Sequence, residues 1–207
     1  MAIVAVLGRK GGIGKSTIAG NLAAEFAAMG ESVVVLDADP QHSMAAWAAQ
    51  GKGLLSRCVE KVKAEGPEAL QAKARKAQKA ADLVVIDTPP GAPEIAYQAA
   101  LVADLVLLPC GPSPLDLLAL KSRAERRSKK PRIRFVPSRV SMNTNLGRSL
   151  SSSLEQMGKK VLPSIGQRVV VAEAVGAGLT VCEYAPTTAS HTEFEELAKA
   201  VAAILAK

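Results

Sequence analysis

The sequence predicts an α/β fold, a mostly parallel twisted sheet flanked by helices on both faces, in one domain spanning residues 1–207. Three observations carry this expectation. Short continuous apolar runs recur at 3–7, 33–36, 83–86 and 105–108, the pattern of strands buried on both faces. Segments with helical apolar spacing lie between them, and alternating strands and helices require parallel pairing through right-handed crossovers. The runs also end in polar or turn residues: Asp37-Ala38-Asp39-Pro40-Gln41, Asp87-Thr88-Pro89-Pro90-Gly91 and Pro109-Cys110-Gly111-Pro112. Open parallel sheets gather their ligands at such carboxyl ends.

The first run leads into Arg9-Lys10-Gly11-Gly12-Ile13-Gly14-Lys15-Ser16-Thr17 and then a helical pattern. Glycines let successive backbone N–H groups turn inward toward an anion, and the helix that follows offers its unpaired N–H groups to the same anion. The composition therefore reads as a phosphate cradle, with Lys15 as a mobile charge and the Ser16 hydroxyl placed to ligate Mg²⁺. The common G-x-x-x-x-G-K-[ST] spacing would put a glycine where Arg9 stands, and the loop carries a second lysine, Lys10, which needs its own explanation.

Beyond the loop, Ile18, Leu22, Phe26 and Met29 form the apolar stripe of a helix that Gly30 stops. A charged segment at 67–80 reads as a solvated surface helix. Helices are expected at 113–127 and 143–157, with a strand at 133–136 and a weak one at 161–162. The final helix, 193–205, gathers Phe194, Leu197, Ala198, Val201 and Leu205 on one face, with Thr192 and Glu195 spaced as a capping box.

Composition narrows the function classes. No apolar stretch approaches the length needed to span a bilayer, and the first residues lack the grammar of a signal peptide, so a cytoplasmic protein is expected. Cys58, Cys110 and Cys182 show no zinc or disulfide spacing. The formal charge is +7, and all of that excess lies between Lys121 and Arg134, where eight bases face only Glu125. Such a block favours a polyanion. With aromatics at 3%, contact with nucleic acid would be to duplex phosphates and indifferent to sequence.

A phosphate loop needs a cation partner and a group that orients water. Asp87, at the end of its apolar run, has the position of a carboxylate that holds Mg²⁺ through water and complements Ser16. Asp37 is assigned to the outer shell of the same metal and Asp39 to the attacking water. His42 and His191 sit in no motif.

In this order and spacing, the segments from Lys10 to Thr17, Asp37 to Gln41 and Asp87 to Gly91 resemble the deviant Walker motifs of the ParA/MinD family of ATPases. Pro112-Ser113-Pro114-Leu115-Asp116 and the tail from Gln167-Arg168 through Glu183-Tyr184-Ala185-Pro186 extend the resemblance over nearly the whole chain, toward short plasmid-partition ParA proteins without an N-terminal helix-turn-helix domain. The resemblance implies a P-loop NTPase fold with ATP held by Lys10, Gly11, Gly12, Ile13, Gly14, Lys15, Ser16 and Thr17. Mg²⁺ would be held by Ser16, Asp37 and Asp87, and Lys10, Lys15 and Asp39 would act in catalysis. It also accounts for Lys10, which in relatives reaches the phosphates of the other subunit in an ATP-dependent homodimer.

The same resemblance implies non-specific DNA binding by the ATP dimer, a ParB-type adaptor that stimulates slow hydrolysis, and a nucleoid-associated location. Arg123, Arg126, Arg127, Lys129, Lys130 and Arg168 are the candidate DNA contacts. Ser138-Arg139 stands where relatives such as MinD often carry Asn-Arg. The leading expectation is plasmid segregation. The alternatives are the positioning of a protein cargo, such as a carboxysome or chemoreceptor cluster, and a MinD-like membrane switch. The alanine-rich final helix, with few bulky anchors, speaks against stable membrane association.

Overall fold

The computed structural model describes residues 1–62, 67–112 and 131–207. The four apolar runs form strands β1 (Ala2–Val6), β2 (Val33–Asp37), β4 (Leu83–Asp87) and β5 (Leu105–Cys110). Three-residue β3 (Val59–Lys61), nine-residue β6 (Arg132–Val140) and the short β7 (Ile165–Gly166) complete the sheet among the described residues. The order is β3-β2-β4-β1-β5-β6-β7 and every pairing is parallel. Val6 and Asp37 each register with Asp87, which lines up three strand ends at one edge.

Helices cover both faces. On one face α1 (Lys15–Ala28) packs with α2 (Ser43–Gln50) and the C-terminal α8 (Ala189–Leu205), burying Ile18, Leu22, Trp47, Phe194, Leu197 and Val201 in one cluster. On the other, α3 (Pro67–Gln78) and α4 (Pro93–Val102) cover Ile3, Ala5, Val84 and Ile86. Helix α5 (Asn145–Gln156) sits beside β6 through Leu150 and Leu154. Two short helices, α6 (Val169–Gly176) and α7 (Val181–Tyr184), connect β7 to α8.

Several expectations change in detail. Helix α1 is buried nearly all round, including Asn21 and Glu25, while Met29 is 45% exposed; Gly30 takes φ +91 just past its end, as a stop glycine should. The weak strand at 161–162 reduces to a single bridge from Phe135 to Val161, and paired backbone resumes at Ile165. Helix α8 begins at Ala189, so Thr192 lies inside it and cannot cap; the capping box forms instead at Thr180 and Glu183, at the start of α7. The expected helix at 113–127 lies outside the described residues, as do Arg123, Arg126, Arg127, Lys129 and Lys130.

Candidate functional site

The glycine-rich loop joins β1 to α1 at the strand-end edge. Gly12 and Gly14 take φ +70 and +93, conformations that cost a side chain strain and that turn the loop tightly onto the helix. Gly14 is the N-cap of α1 and offers no side chain, so the first-turn N–H groups face outward for an anion. Lys15 is buried and its Nζ donates to the Lys10 carbonyl at 3.2 Å. Burial lowers the Lys15 pKa, while Asp87 and Asp39 oppose that shift.

Asp87 is fully buried, and neither of its carboxylate oxygens meets a donor in good geometry among the described residues. Burial pushes its carboxyl up to about 7; the nearby Ser16 hydroxyl and Lys15 ammonium pull it down, and Asp37 and Asp39 add to the rise. A buried carboxylate beside a hydroxyl, in a negative setting, suits a divalent cation. No group of three metal-ligating side chains occurs among the described residues, so phosphate oxygens and water would complete such a cation's shell.

Asp37 and Asp39 play different structural parts. The Asp37 carboxylate accepts the Asp39 N–H at 3.1 Å and the Ala45 N–H at 2.9 Å, capping α2 while it shapes the turn that carries Asp39. The Asp39 carboxylate accepts the Gln41 N–H at 2.9 Å. Between them and the helix, His42 takes φ +49, an uncommon conformation for a residue with a side chain. The loop after β4 leans on the phosphate loop as well: the Gly91 N–H donates to the Arg9 carbonyl at 3.1 Å, and the buried Thr88 hydroxyl donates to the Val6 carbonyl at 2.9 Å.

A cleft of about 1040 Å³ runs from the loop to the segment after β6. Gly11, Gly12, Gly14, Lys15, Ser16, Thr17 and Asp39 line it, so most of the predicted site meets in one place. Ile13 is buried behind the loop, and Asp37 and Asp87 lie buried beneath it. Lys10 is exposed and lines a smaller adjoining pocket of about 270 Å³ with Gly111, Pro112, Arg139 and Gln167.

The far wall includes Arg168, whose Nη2 donates to Glu193 Oε1 at 2.6 Å; this pairing holds its guanidinium above its usual pKa. Two bases of the charged block serve inside the molecule: Arg132 donates to the Ile204 carbonyl, and Arg134 donates to the Ile133 carbonyl at 2.9 Å. Ser138 and Arg139 lie against the phosphate loop, at Gly14 and Gly12, a placement that no local sequence pattern announces beyond the Ser-Arg pair at a strand end.

Residues 4–181 match the family described as the CobQ/CobB/MinD/ParA nucleotide binding domain. The chain is 41% identical to maintenance of carboxysome distribution protein A of Gloeobacter kilaueensis over 125 residues, 60% of this chain and 56% of that protein. Its identity to the protein of the same name from Halothiobacillus neapolitanus is 31% over 186 residues, 86% of this chain and 85% of that one. With the chromosome-partitioning ATPase Soj of Thermus thermophilus it is 28% over 240 residues, 97% of this chain and 95% of Soj. In fold it is similar to the septum site-determining protein MinD of Pyrococcus horikoshii complexed with Mg-ADP, with TM-score 0.78, 20% identity, and coverage of 97% of this chain and 95% of that one. The loop, the aligned strand ends and a family match over most of the sequence lead to one conclusion: the chain belongs to the ParA/MinD family of nucleotide-binding ATPase domains.

Proposed function

We propose that residues 1–207 form one ATPase domain, a switch that dimerises with ATP, binds DNA non-specifically and positions a protein cargo such as a carboxysome. The observation that carries this reading is the cleft that joins the phosphate loop to Asp39 above the buried Asp87. The choice of cargo rests on similarity to a carboxysome-distribution protein across 86% of the chain.

In this reading the loop N–H groups and Lys15 bind the β- and γ-phosphates of ATP, and Asp39 orients the attacking water. Ser16 and Asp87 hold Mg²⁺, which when bound neutralises charge developing on the phosphates. Asp37 stands behind Asp87 in the outer shell and tethers the turn bearing Asp39. None of these groups has to be a strong base, because phosphoryl transfer depends mostly on positioning and charge neutralisation. Exposed Lys10 reaches the phosphates bound by a second copy, so that ATP favours the dimer over the monomer by a contact made only there. An adaptor on the cargo then stimulates hydrolysis and releases the dimer from DNA. Arg168 can join the DNA surface only by sharing or breaking its pairing with Glu193, which leaves Arg123, Arg126, Arg127, Lys129 and Lys130 as the main contacts.

Similarity to Soj over 97% of the chain supports a second reading, segregation of DNA through a ParB-type adaptor by the same cycle. A membrane-surface switch has less support. No helix among the described residues is long and apolar enough to cross a membrane, and the apolar face of α8, with Phe194, Leu197 and Val201, is buried in the core.

Co-sedimentation with random-sequence duplex and with anionic vesicles, each with ATP and with ADP, tests the proposal. The expected result is pelleting with DNA only in ATP, weakening steeply with salt. Pelleting with vesicles in place of DNA would overturn it. Stimulation of turnover by an adaptor that binds a protein shell, as opposed to one that binds a DNA site, separates the two cargoes.

A further inference from the structure

We propose that Arg139 is a positioning residue for the phosphate loop: a bulge at the end of β6 aims its guanidinium at the Gly12 carbonyl and so holds the loop in its anion-binding shape. The reading rests on the assignment of the glycine-rich loop as the phosphate site.

The pairing of β6 with β7 shifts register between Ser138 and Val140, so Arg139 sits at an irregularity in the strand. It takes φ +57, in the left-handed region that an arginine occupies only when its surroundings enforce it. The surroundings here are specific. Its Nη1 donates to the Gly12 carbonyl at 2.6 Å, and the next residue, Val140, accepts the Gln167 N–H at 2.9 Å. The preceding residue, Ser138, is 2% exposed, and its Oγ lies 2.7 Å from where a Cβ on Gly14 would be. The two left-handed glycines of the loop are thus met by two consecutive residues of one bulge, Gly12 by Arg139 and Gly14 by Ser138.

An anion cradle works only if its N–H groups point inward and its carbonyls outward. Glycines make that geometry accessible but do not select it, because they populate the alternatives as readily. A charge-assisted hydrogen bond on the outward carbonyl of Gly12 supplies the selection. The consequence is quantitative, since apparent affinity falls in proportion to the fraction of molecules whose site is competent.

The test uses the full chain and three variants. Arg139→Gly removes the guanidinium and accepts φ +57 without strain, so it should fold; Arg139→Ala removes it and keeps the strain; Arg139→Lys keeps a charged donor. Hydrogen exchange at residues 11–15 is measured without nucleotide, and ADP and ATP affinities with Mg²⁺. The glycine and alanine variants are expected to exchange about tenfold faster and to bind ADP and ATP about tenfold more weakly, equally for both, through the competent-fraction effect. The lysine variant should recover part of both. Unchanged exchange in Arg139→Gly overturns the proposal. So does a loss confined to ATP, which would mean direct contact with the γ-phosphate. Lys15→Ala separates the underlying assignment: if it keeps tight nucleotide binding, the loop is not the phosphate site, whatever Arg139 does.

Discussion

Two polar clusters lie along helix α1 and are built on opposite principles. At its N-terminus, Lys15, Asp37 and Asp87 are buried together, Asp87 meets no donor in good geometry among the described residues, and Gly12, Gly14, His42 and Arg139 take positive φ. About a turn and a half further on, the second cluster is fully paired. Asn21 Nδ2 donates to the Thr17 carbonyl at 2.9 Å, and its Oδ1 accepts the Val181 N–H at 2.8 Å. Glu183 accepts from the Leu54 N–H at 2.8 Å, the Thr180 N–H at 3.0 Å and the Thr180 hydroxyl at 2.6 Å. Trp47 Nε1 donates to the Leu179 carbonyl at 3.0 Å, and a Cβ on Gly178 would sit 2.4 Å from the Gly51 nitrogen. The second cluster closes the fold by itself, fastening α2 and the C-terminal segment to α1. The first keeps Asp87 desolvated and two residues with side chains, His42 and Arg139, in the left-handed region, a desolvation that the phosphate and cation of the proposed function would offset.

The largest effect that separates the two should come from Lys15→Ala. Removing the buried ammonium from the loop should weaken ADP and ATP binding by at least about a hundredfold, as loss of a charge-assisted contact to phosphate implies. The same variant should change stability in urea far less than it changes binding, because the Lys15 hydrogen bond found among the described residues, to the Lys10 carbonyl, is long at 3.2 Å, and the attraction of Asp87 and Asp39 is opposed by the desolvation of the buried ammonium. A large loss of stability would mean that the first cluster also holds the fold together.

Glu183→Gln attacks the second cluster. A carboxylate offers acceptors to all three of its donors, whereas a glutamine must turn its NH₂ toward one of the N–H groups of Leu54 or Thr180. The expected cost is about 2–4 kcal/mol in urea denaturation, with nucleotide affinity changed far less than by Lys15→Ala. Equal losses of stability and binding would show that the clusters are one unit.

The first cluster was the more legible in the sequence. A glycine-rich loop between an apolar run and a helical stripe, and apolar runs ending at Asp37 and Asp87, are local patterns, and the structure places them at one strand-end edge. The second cluster depends on distant pairs. Leu54 and Glu183 are 129 residues apart, and Trp47 and Leu179 are 132 apart. Thr180 and Glu183 have capping-box spacing, but the helix they open is four residues long, with no apolar period to announce it. The more conspicuous Thr192–Glu195 pair turned out to lie inside α8, since Ala189 had already started the helix. Arg139 was hidden for another reason: only the bulge turns a strand residue onto the phosphate loop.

Asp87→Asn reverses the sign of the effect on stability. The carboxyl, raised from 3.8 to about 7, favours the folded state when protonated. Its contribution is therefore present below about pH 4 and is lost as pH rises through about 7. In the presence of chelator, the asparagine variant should be more stable than the wild type by about 1–3 kcal/mol at pH 8 and nearly equal to it near pH 4. It should also lose Mg²⁺-dependent turnover. A variant less stable at pH 8 would show that the carboxylate has a partner and belongs with the satisfied cluster.

The finest distinction lies at Thr180, where shape and hydrogen bonding can be separated. Thr180→Val keeps the volume and the β-branch but removes the hydroxyl, leaving the 2.6 Å contact to Glu183 Oε2 unmade while the backbone N–H contact at 3.0 Å survives. Thr180→Ser keeps the hydroxyl and loses one buried methyl. If hydrogen bonding sets the stability of this cluster, valine should cost about 1–2 kcal/mol and serine about 1 kcal/mol or less. If packing sets it, the order reverses, because Thr180 is fully buried and a missing methyl leaves a void. Urea midpoints at constant slope decide between them, and nucleotide affinity should be the same in both variants, since the cluster they probe serves the fold and not the phosphate.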